Sequence, residues 1–196
     1  MVSVWPSESE LRARLSDLIA LPQGSTGTVV PWSGTAFRFA GLKYADVSRF
    51  TDGEGAKKSG GRFTPTGGMR TLYLSCDRAT ATAELDSFYD YFSIPAVLFE
   101  PRLLAAVEVR LGTILNLIET SALTLFGLTT AHLFEEWRLI SHYGGVAPTQ
   151  LFGRLVADAG FEGILYPSAR RANGMNLAIF PENYHAGSAS TMLNPP

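Results

Sequence analysis

Residues 59–75, SGGRFTPTGGMRTLYLS, join a loop rich in glycine and proline to a short apolar run. Gly60 and Gly61 allow the backbone to adopt positive φ or to approach another group closely. A proline and a second glycine pair then favour another turn. Such a loop would present Arg62 at a defined position, while a solvated loop arginine is the alternative.

The run that follows the loop, residues 71–75, alternates between apolar and polar side chains with period two. Leu72 and Leu74 fall on one face, whereas Tyr73 falls on the other face with two hydroxyl side chains. This pattern predicts a short strand. Arg62 is therefore expected just ahead of a β-sheet.

The composition predicts one soluble domain. The chain has 196 residues, 46% of them apolar, which suffices for one well-buried core. A net charge of −2 without long basic runs argues against direct nucleic-acid binding. The single cysteine, Cys76, permits neither an internal disulfide nor a cysteine-based zinc site. The absence of a signal-like or membrane-length apolar stretch predicts a cytoplasmic protein with no membrane contact.

An N-terminal helix is predicted outside the main domain. Ser7 and Glu10 have capping-box spacing, and leucines recur behind them at helical intervals. We assign residues 1–30 to this helix and a linker, and residues 31–196 to the main domain. The helix is expected to dock on its own domain rather than to bind a partner.

A second helix is predicted over residues 78–92, with a cap at Ser75 or Asp77. Its apolar stripe borders one carboxylate, Glu84. The stripe consists of Ala81, Leu85, Phe88 and Phe92. Glu84 is either a functional acid at the edge of the buried face or a rim residue whose head reaches water.

The second half of the chain predicts a strand at 106–111 that residues 114–118 continue after Gly112, strands at 163–168 and 175–180, and a helix at 151–159. Their irregular order predicts an α+β fold with a compact mixed sheet rather than repeated βαβ units. Ser168 and Asn176 flank the predicted turn between the last two strands.

Seven short motifs, taken in their order and spacing, resemble the RES-domain toxins of RES–Xre toxin–antitoxin pairs over about residues 32–184. Phe63 and Phe39 stand where the family often has tryptophan and tyrosine, so each position keeps an aromatic ring. The motifs are Phe37-Arg38-Phe39, Gly53-Glu54-Gly55-Ala56, Gly60-Gly61-Arg62-Phe63, Leu72-Tyr73-Leu74, Ala83-Glu84-Leu85, Tyr166-Pro167-Ser168-Ala169 and Asn176-Leu177-Ala178-Ile179-Phe180.

The resemblance implies a fold similar to ADP-ribosyltransferase toxins and a toxin that cleaves NAD+ at the nicotinamide–ribose bond, by water or by inorganic phosphate. NAD+ would be a substrate, with no held cofactor and no metal. One alternative is transfer of ADP-ribose to a host protein, and another is a non-catalytic module that binds a nucleotide or a partner. The resemblance also implies an Xre-type antitoxin that makes any DNA contact itself.

The family name comes from an arginine, a glutamate and a serine, which resemble Arg62 (or Arg38), Glu84 and Ser168. Arginine forks suit a pyrophosphate, and Gly61 would let backbone amides approach the same anion. Glu84 would stabilise the oxocarbenium-like ribose as nicotinamide departs.

The remaining candidates are substrate-binding residues. Phe39 offers an aromatic surface, and Tyr73 would either stack on nicotinamide or merely pack. Ser168 and Asn176 would hydrogen-bond a ribose hydroxyl or the carboxamide, or else satisfy the turn between their strands.

Overall fold

The computed structural model describes residues 4–21, 27–42 and 50–193. Helices and strands alternate irregularly along these ranges, which confirms the predicted α+β class. The helices are α1 (Glu8–Ile19), α2 (Glu54–Ser59), α3 (Arg78–Tyr91), α4 (Thr120–Leu125), α5 (Thr130–Leu133), α6 (Trp137–His142) and α7 (Pro148–Asp158). The strands are β1 (Val29–Gly41), β2 (Leu72–Ser75), β3 (Arg102–Asn116), β4 (Gly163–Pro167), β5 (Met175–Ile179) and β6 (Ala189–Leu193).

The strands form one mixed sheet that closes on itself. Their order is β1-β2-β5-β4-β3-β6, and β1 also pairs with β3. The β3–β4 pairing is parallel, whereas the other pairings are antiparallel. The register between β1 and β2 consists of Phe37 opposite Ser75, while β1 follows β3 along most of its length. A cleft lies between strands β1 and β2 and helix α3.

Two apolar clusters hold the sheet. The first joins α1, α4 and α7 to one side of β4 and β5, through Leu15, Phe126, Phe152 and Ile164 among others. The second is built by strand side chains on the other side, with Phe50 packed among them. In β2 the predicted alternation is confirmed, because Leu72 and Leu74 join the second cluster while Tyr73 packs on the first.

Helix α1 packs on its own domain, as expected. Its capping box forms between Ser7 and Glu10, and its three leucines are buried together with residues of α7. Ahead of the helix, the Trp5 indole N–H donates to Glu135 Oε2 at 3.0 Å. The division of the chain at residue 30 stays a prediction, because part of the linker, residues 22–26, lies outside the described residues.

Helix α3 forms as predicted, but its apolar stripe faces a cleft and is not buried in a core. Asp77 caps the helix by accepting from the Thr80 amide at 2.9 Å. Of the four stripe residues only Ala81 is buried, and Phe92 is 54% exposed. All four line the cleft instead of a closed core. Helical periodicity reports which face is apolar, and a ligand cleft gives the same pattern as a core.

The predicted continuation of the 106–111 strand beyond Gly112 is confirmed, because Arg102–Asn116 forms one strand, β3. Glu162 explains this continuity, since its buried Oε2 accepts from the amides of Gly112 at 2.6 Å and Thr113 at 2.7 Å. Strand β6 and the short helices α4 to α6 were not predicted. None of the described helices is both long and apolar enough to cross a lipid bilayer.

Candidate active site

A cleft of about 560 Å³ lies between β1, β2, α3, α6 and the loop that carries Arg62. Its volume falls within the range of about 300–1,000 Å³ that is typical of small-molecule sites. The cleft is lined by seven of the eight predicted site residues, namely Arg38, Phe39, Gly61, Arg62, Tyr73, Glu84 and Asn176. The structure thus brings together residues that are spread over most of the chain.

Glu84 is held in the cleft by two side chains, one from the turn after β4 and one from strand β5. Ser168 Oγ and Asn176 Nδ2 each donate to Glu84 Oε1 at 2.8 Å. Asn176 is oriented in turn by Ser75, whose hydroxyl donates to Asn176 Oδ1 at 2.7 Å. Because both bonds end on Oε1, the carboxylate has a fixed orientation, and among the described residues no group donates to Oε2, which is open to a ligand.

Ser168 lies behind Glu84. Its hydroxyl oxygen accepts from the amides of Arg170 at 3.1 Å and Arg171 at 3.2 Å, so the turn after β4 fixes its direction. Ser168 is 7% exposed and Asn176 is 4% exposed. In the structure both side chains position Glu84. Direct contact of Ser168 or Asn176 with a substrate stays a prediction. Ser75 was missed, although it lies on the same face of β2 as Tyr73.

Arg62 is anchored at the end of α5. Its Nη1 donates to the carbonyl oxygen of Leu133 and, at 3.2 Å, to that of Glu135. Gly60 has a φ of +76°, which favours glycine at this turn. The buried Gln150 amide donates to the carbonyls of Gly61 at 3.0 Å and Thr64 at 3.2 Å. The loop therefore presents Arg62 in a fixed position, and its Nε and Nη2 groups bind no acceptor in the part of the chain that the structure describes.

Tyr73 supports the same loop. Its hydroxyl accepts from the Phe63 amide at 2.8 Å, and burial raises its pKa to about 12. A Cβ at Gly61 would lie 2.5 Å from the Tyr73 ring, so only glycine allows this close approach. Packing beneath the loop is thus a structural role of Tyr73, while stacking on nicotinamide stays a prediction.

Arg38 lies on the other face of β1 from Phe37 and Phe39, as the alternation requires. Its Nη1 donates to the carbonyl of Phe50 at 3.0 Å, and its guanidinium lies 5.1 Å from the centre of the Phe50 ring. Burial lowers the pKa of Arg38. The side chain reaches the cleft from this anchored position.

Helix α6 contributes cleft residues that sequence reasoning missed. Trp137 and Arg138 line the cleft opposite α3, and the Arg138 guanidinium lies 4.8 Å from the Trp137 ring centre. The helix is only six residues long and buries none of them, so no periodic pattern marks it. In the described part of the chain no group of three or more metal-ligating side chains is found.

The sequence model of the RES domain matches residues 35–192. The match spans the cleft and all eight candidate residues and begins after α1. The chain therefore belongs to the RES-domain family.

A solved structure agrees with this assignment at the level of the fold. The chain is similar to one in the crystal structure of the M. tuberculosis MbcT–MbcA toxin–antitoxin complex, with a TM-score of 0.73 and 20% sequence identity. The match covers 95% of this chain and 91% of the other chain. No curated protein matches by sequence.

Proposed function

We propose that this protein is the toxin of a toxin–antitoxin pair and that it cleaves NAD+ at the nicotinamide–ribose bond. The observation that carries the proposal is the Glu84 carboxylate, fixed on Oε1 by Ser168 and Asn176 and available on Oε2, in a cleft that also contains arginines. NAD+ has matching features, because its pyrophosphate is anionic and its ribose becomes cationic as nicotinamide leaves.

The chemistry follows from charge. The bond between the ribose C1′ and the pyridinium nitrogen breaks, and its electron pair neutralises the departing nicotinamide. The positive charge that develops on the ribose is opposed by Glu84, whose fixed orientation avoids reorganisation during the reaction. Water or inorganic phosphate then forms the new bond at C1′ and gives up a proton if water is used.

The rest of the cleft suits the other parts of NAD+. Arginine forks bind phosphate oxygens in a bidentate manner. The apolar side chains of α3, Leu85 and Phe88, face the same space and favour a flat ring. NAD+ is then a consumed substrate rather than a bound cofactor.

Exposed apolar side chains next to the cleft support the proposal of a protein partner. Phe92 and Leu98 are exposed by 54% and 65%, and Val97 by 88%. Such a group of exposed apolar side chains is typical of an interaction surface. The related toxin fold was solved in complex with its antitoxin, and we propose an Xre-type antitoxin for this chain.

We expect the purified protein, freed of any partner and of added metal, to release nicotinamide from NAD+. The measurement is mass spectrometry of the products with and without phosphate. ADP-ribose identifies hydrolysis, ADP-ribose 1″-phosphate identifies phosphorolysis, and a mass increase on a host protein identifies ADP-ribosyl transfer. Unchanged NAD+ under all three conditions would contradict the proposal and favour a binding module.

Arg62→Lys is expected to lower kcat/KM for NAD+ about ten- to a hundredfold, because a hydrogen bond to a charged group contributes about 1.5–3 kcal/mol. Lysine keeps the charge but cannot hold the two backbone carbonyls and reach a phosphate at once. The check is steady-state kinetics beside the control Arg12→Lys, a change at an exposed arginine of α1, which should behave as the wild type. Normal kinetics in Arg62→Lys would favour a merely structural arginine.

A further inference from the structure

The arginines of the cleft differ in whether their side chains make hydrogen bonds to the rest of the protein. Arg38 and Arg62 donate to backbone carbonyls, and Arg102 donates from Nε to the Tyr89 hydroxyl at 2.9 Å. Over residues 4–21, 27–42 and 50–193, no hydrogen bond or ion pair engages the guanidinium of Arg138. Its five N–H donors therefore have no acceptor from the described protein.

Aromatic rings hold Arg138 in place without using those donors. The guanidinium carbon lies 4.8 Å from the ring centre of Trp137 and 5.4 Å from that of Tyr91. Stacking occupies the flat face of a guanidinium and leaves its edge free for bidentate bonds. Arg138 thus lies between two rings in the lining of the cleft, and its N–H donors bind no acceptor among the described residues.

The charges around Arg138 favour an anion. Burial lowers its pKa, and the positive charges of Arg62 and Arg170 lower it further, whereas Glu84 and Glu136 oppose this effect. One of these two acids, Glu136, pairs with Arg170, with its Oε1 3.8 Å from Arg170 Nη2. A bound anion would therefore relieve the repulsion between neighbouring guanidinium groups.

We propose that Arg138 is a phosphate-binding residue of this cleft and that it grips the pyrophosphate of a dinucleotide together with Arg62. The inference rests on the proposed function for the identity of the dinucleotide. In this role Arg138 makes the protein bind a substrate with phosphates more tightly than the corresponding nucleoside. A nucleoside would leave the N–H donors of Arg138 without an acceptor.

The test measures binding rather than turnover. Isothermal titration calorimetry with ADP-ribose, which has no nicotinamide bond to cleave, is compared with adenosine, the part of ADP-ribose that carries no phosphate. Arg138→Gln is expected to weaken ADP-ribose binding about tenfold or more and to leave the affinity for adenosine within about twofold. The salt dependence of ADP-ribose binding should also become shallower. Arg110→Gln, an exposed arginine on β3 outside the cleft, is the matched control.

The outcomes separate the two hypotheses. Equal ADP-ribose affinity in Arg138→Gln and wild type, or no ADP-ribose binding by the wild type, overturns the role of Arg138. Binding that depends on Arg138, in a protein that releases no nicotinamide from NAD+, overturns the cleavage reaction and leaves this role intact. If Arg138→Gln does not fold, Arg138→Met, which keeps an unbranched stem but has no donor, carries the test, and unchanged ADP-ribose affinity in that variant overturns the role.

Discussion

Glu84→Gln is expected to reduce the rate of NAD+ cleavage by about two to three orders of magnitude, the usual cost of removing a preorganised electrostatic group. Glutamine has the same shape, and its amide oxygen still accepts from Ser168 and Asn176, so the fold should persist. What disappears is the negative charge next to the ribose. Rates of nicotinamide release and thermal melting of both proteins provide the measurement.

Asp86→Asn is the control for this prediction, because Asp86 is an exposed acid on the same helix. It should keep wild-type activity. In cells, expression of the wild type without a partner should arrest growth, and Glu84→Gln should relieve the arrest. Full activity in a folded Glu84→Gln protein would remove Glu84 from the mechanism.

Gly153→Ala is expected to destabilise the protein by about 3 kcal/mol, at the upper end for an overpacked core. A Cβ at Gly153 would lie 2.1 Å from the carbonyl oxygen of Phe63 and 2.5 Å from its Cβ. Helix α7 and the Arg62 loop would have to separate, so NAD+ binding should weaken as well. Chemical denaturation and calorimetric NAD+ titration measure the two effects.

Gly55→Ala is the matched control, because a Cβ there meets nothing within 4 Å in helix α2. Alanine in a helix should leave stability unchanged or raise it by up to about 1 kcal/mol. A Gly153→Ala protein as stable as the wild type would show that the helix and the loop can adjust without cost.

Local sequence patterns predicted the parts of this fold that depend on local interactions. The alternation around Tyr73 and the capping box of Ser7 and Glu10 involve neighbours a few residues apart, where backbone geometry alone decides the outcome. The position of Glu84 at the edge of an apolar stripe follows from helical periodicity in the same way. These features required no knowledge of tertiary structure.

The contacts that define the candidate site are long-range, and the sequence does not encode them locally. Ser168 and Asn176 meet Glu84 across 84 and 92 residues of chain. Periodicity marks each as a polar residue in an apolar strand, but only the sheet register decides that they share one carboxylate oxygen. Arg138 had no signal, because its helix is too short for an amphipathic stripe.

The contact between Trp5 and Glu135 has a practical consequence for anyone who shortens this protein. The Glu135 carboxylate accepts a hydrogen bond from the Trp5 indole, and its backbone carbonyl accepts one from Arg62. One residue thus links the N-terminal segment to the cleft. The RES match begins only at residue 35. A fragment cut at that boundary would lose this link and expose the cluster beneath α1. The unit that must be expressed for crystallisation or screening is therefore larger than the unit that sequence similarity defines.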